Sequence, residues 1–235
     1  MIQRTRFVLV LVGVLALAAC GAPPPPPRPT PPPPPPPEVV VIPPRPHAPF
    51  GAAANVTVPA VGPDGVRHTI LVDSADAQLV WNLRSAYNVA ALNCVGPRFG
   101  EIADHYRVFL KAHTRALTQA NAGVDANFRA KYGKGFVVHR ETYMTQVYNY
   151  FAFPPTLPNF CESALAMSRE SAGLTAKDLP EFSKRSFAQF TRVYEDFYSA
   201  YEKYLADLAE WDAKYGNVVA ANGETGQRGP AAGTM

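Results

Sequence analysis

The sequence predicts a mainly α protein: a single helical domain of about five to six helices with a small N-terminal β-hairpin, carried behind an apolar leader and a proline-rich spacer. Three observations predict it. Of 25 Pro, 17 fall within residues 23–49, whereas all aromatic residues but Phe7 and Phe50 lie between Trp81 and Tyr215, so the chain divides into an extended segment and a core-forming one. From Asp76 onward, apolar residues recur every three or four positions, the spacing of one helix face. Ahead of that pattern stands a short alternating stretch around Asp64-Gly65, a hairpin turn signal. Residues 51–216 then form the globular domain, about 165 residues, enough for one sizeable core and too few for two ordinary domains.

The chain opens with Arg4 and Arg6, followed by an apolar run from Phe7 to Ala18. Twelve residues are too few to span a hydrocarbon layer about 30 Å thick, but they have the length and flanks of an export signal. The run closes in Leu17-Ala18-Ala19-Cys20-Gly21. Leu-Ala-Ala-Cys resembles the lipobox of bacterial lipoproteins. That resemblance implies a signal peptide of residues 1–19, removal of that peptide, and Cys20 as the first mature residue, its thiol carrying the acyl anchor. Gly21, where inner-membrane retention would place Asp, implies the outer membrane facing the periplasm. The other reading is an ordinary secretory signal with Cys20 an incidental thiol.

Residues 20–50 read as lipidated Cys plus spacer. Pro23 to Pro27 and Pro31 to Pro37 fix φ and remove amide donors, which leaves polyproline II. Ala22 to Pro49 would extend roughly 85 Å at about 3.1 Å per residue. The segment reads as a stiff stand-off, with a ligand for an aromatic-grooved partner as the alternative.

In the domain, Val66, His68, Ile70 and Val72 alternate and predict the hairpin over 55–72. Leu79, Val80, Leu83, Tyr87 and Ala90 predict a helix over 76–93. Phe99, Ile102, Tyr106, Phe109, His113 and Leu117 predict a second after Pro97, and Asp125–Tyr132 a short third, stopped by Gly133 and Gly135. A fourth spans 140–152 before Pro154-Pro155. Asn159-Phe-Cys-Glu162 and Asp178-Leu-Pro-Glu181 read as capping boxes for the last two. The final helix carries Phe187, Phe190, Tyr194, Phe197, Tyr201, Tyr204, Leu208, Trp211 and Tyr215, spaced alternately three and four. Such a seam predicts packing against another helix, yet its rings are wide for a tight two-stranded contact, so packing within the domain competes with a dimer seam or a ligand groove. Gly216 reads as the helix stop and residues 217–235 as a disordered tail.

With Cys20 lipidated, Cys94 and Cys161 remain, and an even pair in an exported chain predicts a disulfide between the first and fifth helices. A metal pair and a catalytic thiol are the rivals, but neither CxxC nor closely spaced His accompanies them, so no metal site and no cofactor are expected. Glu101 and His105 share a helix face and could form a base with its carboxylate, or a surface pair. Tyr143, Gln146 and Asn149 gather on an unusually polar, aromatic helix, where a pocket would find its lining. No hydrolase, P-loop or dinucleotide fingerprint is present, and no catalytic residue is assigned. Without Arg4 and Arg6 the chain holds 20 basic against 19 acidic residues, which gives nucleic acid nothing to bind. Residues 98–140 are basic and 178–214 acidic, a pattern expected of neighbouring complementary surfaces or of a face for anionic envelope polymer.

The expected protein is therefore a membrane-anchored, non-catalytic adaptor, assembly or structural factor of the cell envelope, meeting an envelope protein or the cell wall. A lipid- or glycan-binding module is the alternative and an envelope hydrolase the third reading.

Overall fold

The computed structural model describes residues 41–226. The leader, Cys20, both long proline blocks and the end of the tail lie outside the described residues. Six α-helices follow in order: α1 Asp76–Asn93, α2 Gly100–Ala112, α3 Thr114–Tyr132, α4 Phe136–Phe151, α5 Leu157–Glu170 and α6 Leu179–Gly226. Among the described residues no helix is long and apolar enough to cross a membrane, and no β-strand forms.

The apolar period accounts for the core. Leu83, Tyr87 and Ala90 of α1 are fully buried, with Ile102 and Phe109 of α2, Val147 and Phe151 of α4, Phe160 and Ala164 of α5, and Phe182 and Phe190 of α6 around them. Helices α1 and α3 approach closely at Gly123, where an added Cβ would lie 2.6 Å from the Cβ of Ala77. Cys94, which caps the C-terminus of α1, is bonded to Cys161 in α5, with the two Cα atoms 5.4 Å apart.

Four helix boundaries differ from those the periodicity suggests, one being the start of α4 at Phe136 rather than at residue 140. The second helix ends at Ala112 and α3 begins at Thr114, absorbing both Leu117 and the short 125–132 helix. The break falls at His113, and the Thr114 hydroxyl donates back to the carbonyls of Leu110 and Lys111 at 2.8 and 3.1 Å, which bends the ladder there. Helix α5 starts at Leu157 with Pro in its first turn, so Asn159 lies inside the helix and caps nothing. Helix α6 passes through Gly216, which lacks the positive φ of a C-cap; a helical Gly costs only about 1 kcal/mol relative to Ala.

Residues 55–72, where alternation predicted a hairpin, contain one antiparallel bridge, Val61 to Arg67, closed over Asp64-Gly65. Pro59 and Pro63 flank the ascending arm and remove the donors a longer ladder would need. The inward face is also reversed. Val66 is 47 % exposed, while Arg67, out of phase with the apolar alternation, is only 5 % exposed. Its guanidinium donates from Nε to Glu195 at 3.0 Å, bidentately to Glu202 at 2.9 and 3.1 Å, and to the carbonyl of Pro59 at 2.7 Å, over the ring of Tyr198. A buried Arg is tolerated because every face of it is paired.

The aromatic seam of α6 is closed by two different partners. Its first half meets helices: Phe187 and Phe190 pack on Phe151, Phe190 on Phe160, and Tyr194 stacks on Tyr150 at 4.0 Å. Its second half meets Phe153, just past α4 and 5.2 Å from Phe197, and the chain's own residues 43–56, a strap extended but for a 3₁₀ turn at Pro49–Gly51. Trp211 Nε1 donates to the carbonyl of Pro43 at 2.9 Å, and Phe50 lies 6.4 Å from Phe197. The Tyr201 hydroxyl donates to the carbonyl of Ala53 and accepts from the amide of Val56. Fourteen residues of helix separate Trp211 from Phe197, about 21 Å, and the seven residues from Pro43 to Phe50 cover about 22 Å as extended chain. The lengths match. The strap turns back at Phe50 and Gly51, both at positive φ, 54° and 70°. Wide rings suit a proline-rich chain laid across them, and the end of the spacer belongs to the domain.

Candidate functional site

Helix α4 carries Tyr143, Gln146 and Asn149 at successive steps of three, a slowly drifting stripe on one face. Opposite it lies the segment 55–72, held by the Arg67 and Tyr201 contacts. Between them is an open groove of about 890 Å³, walled by Asn55, Thr57 and His68 on one side and Gln146 and Asn149 on the other, with Tyr150, Phe153 and Tyr198 among its lining residues. A second hollow of about 580 Å³ lies between α3 and α4; Tyr143 and Gln146 line it with Phe128, Tyr132 and His139. Gln146 thus borders both, Asn149 the first and Tyr143 the second.

The Tyr143 hydroxyl accepts from Asn82 Nδ2 at 2.5 Å, and its ring lies 5.3 Å from Phe128, so this residue is fixed from α1 and α3. The side chains of Gln146, Asn149, Asn55 and Thr57 make no hydrogen bond to another described residue and present free amide and hydroxyl groups to the larger groove. No Asp, Glu, Lys or Arg is among the residues lining it. Burial pushes the phenol of Tyr150 far up and that of Tyr198 up, the latter partly offset by Arg67, so both rings are neutral hydrogen-bond donors at physiological pH. Hydrogen bonding and stacking are the chemistry this groove offers.

The structure separates the other residues in view. Glu101 pairs with Arg169 of α5, whose guanidinium holds its carboxyl below the ordinary range, while His105 faces the Ser168 hydroxyl at 3.3 Å; they form no dyad. The basic segment makes its described ion pairs with α5, as Arg98–Glu162, or internally, as Arg107–Asp104 and Arg140–Asp125, and none with residues 178–214. Asn55, His68 and Tyr198 carried no sequence signal as lining, because only the fold brings the 55–70 segment against α4.

His113 is buried beside Phe109, ring centroids 4.9 Å apart, and its Nδ1 has no partner. Desolvation lowers its pKa below the ordinary 6.5. The unfolded chain therefore binds a proton more readily, and the stability due to neutral His113 is complete above that value and lost as pH falls below it. Between about pH 7 and pH 5 the melting temperature of the wild type should drop more than that of His113→Phe; equal slopes would remove His113 from the acid response.

No protein-family model matches this chain, nor does a curated protein or a solved structure.

Proposed function

We propose that this chain is a lipid-anchored lipoprotein of the bacterial cell envelope, held by acyl chains on Cys20 at the periplasmic face of the outer membrane, and that it works as a non-catalytic adaptor presenting its helical domain to an envelope partner. The observation that carries the reading is the closure of the α6 seam by the chain's own strap. The seam rings Phe187, Phe190, Tyr194, Phe197, Tyr201 and Tyr204 are buried against protein. The strap also fixes where a tether would leave the domain. With Pro43 held on Trp211, the 22 residues between Cys20 and Pro43 supply the reach, fewer than the whole proline-rich segment would give. Several acyl chains hold a membrane far more firmly than one.

The larger groove supports a second reading, a glycan-binding module. Free amides and hydroxyls over tyrosine and phenylalanine rings, with no Asp, Glu, Lys or Arg in the lining, match a neutral saccharide better than a charged ligand.

One experiment tests both. Cys20→Ser should move the chain from the membrane to the soluble fraction without altering its melting temperature; a chain still bound to membrane overturns the anchor. Mild-detergent purification of the wild type and of Asn149→Arg from native membranes then separates the two readings. A stoichiometric protein partner lost in the variant supports the adaptor, and an enriched glycan lost in the variant supports the second reading. An eluate with neither overturns both.

A further inference from the structure

The second hollow, about 580 Å³, differs in chemistry from the larger groove. Its lining holds one carboxylate, Asp73, and one ammonium, Lys131. Neither forms an ion pair or a side-chain hydrogen bond with a described residue, whereas other opposite charges on these helices are paired, as Arg140 with Asp125 and Arg169 with Glu101.

Both groups are held at the hollow. Asp73 stands at φ 60°, a left-handed conformation that Asp and Asn take more readily than most L residues. Bonds on either side enforce it. The Val72 amide donates to the Thr69 carbonyl at 3.2 Å, and the Ser74 hydroxyl donates to the carbonyl of buried Leu71 at 2.8 Å. Strain of this kind persists only where its surroundings impose it, and it gathers at ligand sites. Lys131 Nζ lies over the Tyr132 ring, 5.3 Å from its centroid, a cation–π contact that keeps it beside the aromatic wall. In that wall Phe128, Tyr132 and His139 stack in succession, centroids 5.8 and 3.9 Å apart, and Tyr143 closes on Phe128 at 5.3 Å.

A ligand with a single charge would pair one of the two groups and take water from the other without replacing it, which costs free energy. A zwitterion pairs both. A volume of about 580 Å³ lies in the range that takes a drug-sized molecule and exceeds a single amino acid. We propose that this hollow is a binding site for a short peptide with free termini, its ammonium taken by Asp73 and its carboxylate by Lys131. The aromatic wall and Ile70 receive its apolar side chain, and the Asn127 amide serves its peptide bond. Asp73 and Lys131 are both open to water, so each charge contributes several-fold to affinity rather than orders of magnitude. The site shares only Thr69, Ile70 and Gln146 with the larger groove, and it depends neither on the lipid anchor nor on what that groove binds.

The test uses the full chain carrying Cys20→Ser and follows the backbone amide resonances of Asp73 and Lys131. The dipeptide Ala-Leu is titrated beside N-acetyl-Ala-Leu, which lacks the ammonium, and Ala-Leu amide, which lacks the carboxylate. Ala-Leu should shift both resonances saturably, and each blocked form should bind several-fold more weakly. Asp73→Asn tolerates the same backbone and should keep the parent's melting temperature, but in it Ala-Leu and the acetylated form should bind alike. Lys131→Gln should likewise erase the difference between Ala-Leu and its amide. Failure of Ala-Leu to shift either resonance saturably overturns the site. Blocked forms that bind the parent as tightly as Ala-Leu overturn the zwitterion assignment. A preference for the free ammonium that survives in Asp73→Asn, or for the free carboxylate that survives in Lys131→Gln, overturns the part assigned to that residue.

Discussion

Removing the Cys94–Cys161 bridge lowers the unfolding free energy by about 4 kcal/mol, the chain-entropy value for a loop of this size, with a sequence separation of 67 residues. For a domain of this length that is a fall in melting temperature of about 8–16 °C. Cys94→Ala/Cys161→Ala is the right variant, since both positions are buried and Ala introduces no hydroxyl there. The bridge joins the end of α1 to the start of α5, and the core residues of those helices, Ala90 and Phe160 among them, are fully buried. Its loss acts through the unfolded chain and should leave the helical circular dichroism of the folded state unchanged. Thermal unfolding of the double variant checks this. An unchanged melting temperature, or two thiols titrating in the unfolded, unreduced wild type, would contradict it.

Arg67→Ala costs about 3 kcal/mol, somewhat under the usual loss for breaking a buried ion pair, because Glu195 and Glu202 keep part of their hydration. The deletion strands two carboxylates and the Pro59 carbonyl and removes the guanidinium from the Tyr198 ring. Arg67→Met should lose less, since it keeps the packing. Arg67→Lys cannot serve both carboxylates bidentately and should fall between Met and the wild type. Denaturant unfolding of the three variants gives the order, and limited proteolysis within residues 55–72 reports the loosened groove wall. An Arg67→Ala variant as stable as the wild type would mean that this segment is not held from α6.

How legible the fold was depended on how local its causes are. Helix α1 follows the apolar period of Leu79, Leu83, Tyr87 and Ala90 to its ends, because a helix packed against all five others carries its own signal. The bridge between Cys94 and Cys161 was legible once helix ends were placed, since it needed only an even thiol count and two termini. The break at Thr114 was not, because Leu117 continues the period across a bend made by one hydroxyl. The inward turn of Arg67 was hidden for a different reason: alternation assumes that the apolar set faces inward, and here two glutamates more than a hundred residues away make the cation the buried one. Tyr143, Gln146 and Asn149 were legible as a polar stripe, but the opposite wall of the groove depends on long-range docking. The seam on α6 was legible as a seam. Its partner was not, because helix periodicity says nothing about an extended strand of proline-rich chain.

The strap is the central feature: Ala48, Ala52 and Val56 pack against the core, and Asn55 and Val56 line the groove. Its most direct test is native-state amide hydrogen exchange at Val56, whose N–H donates to the Tyr201 hydroxyl at 3.1 Å. This amide is expected to be protected in the wild type, and Tyr201→Phe to abolish the protection while the amides of α1 and α5 keep theirs. A Val56 amide that exchanges in the wild type as fast as in an unfolded chain would contradict the docked strap.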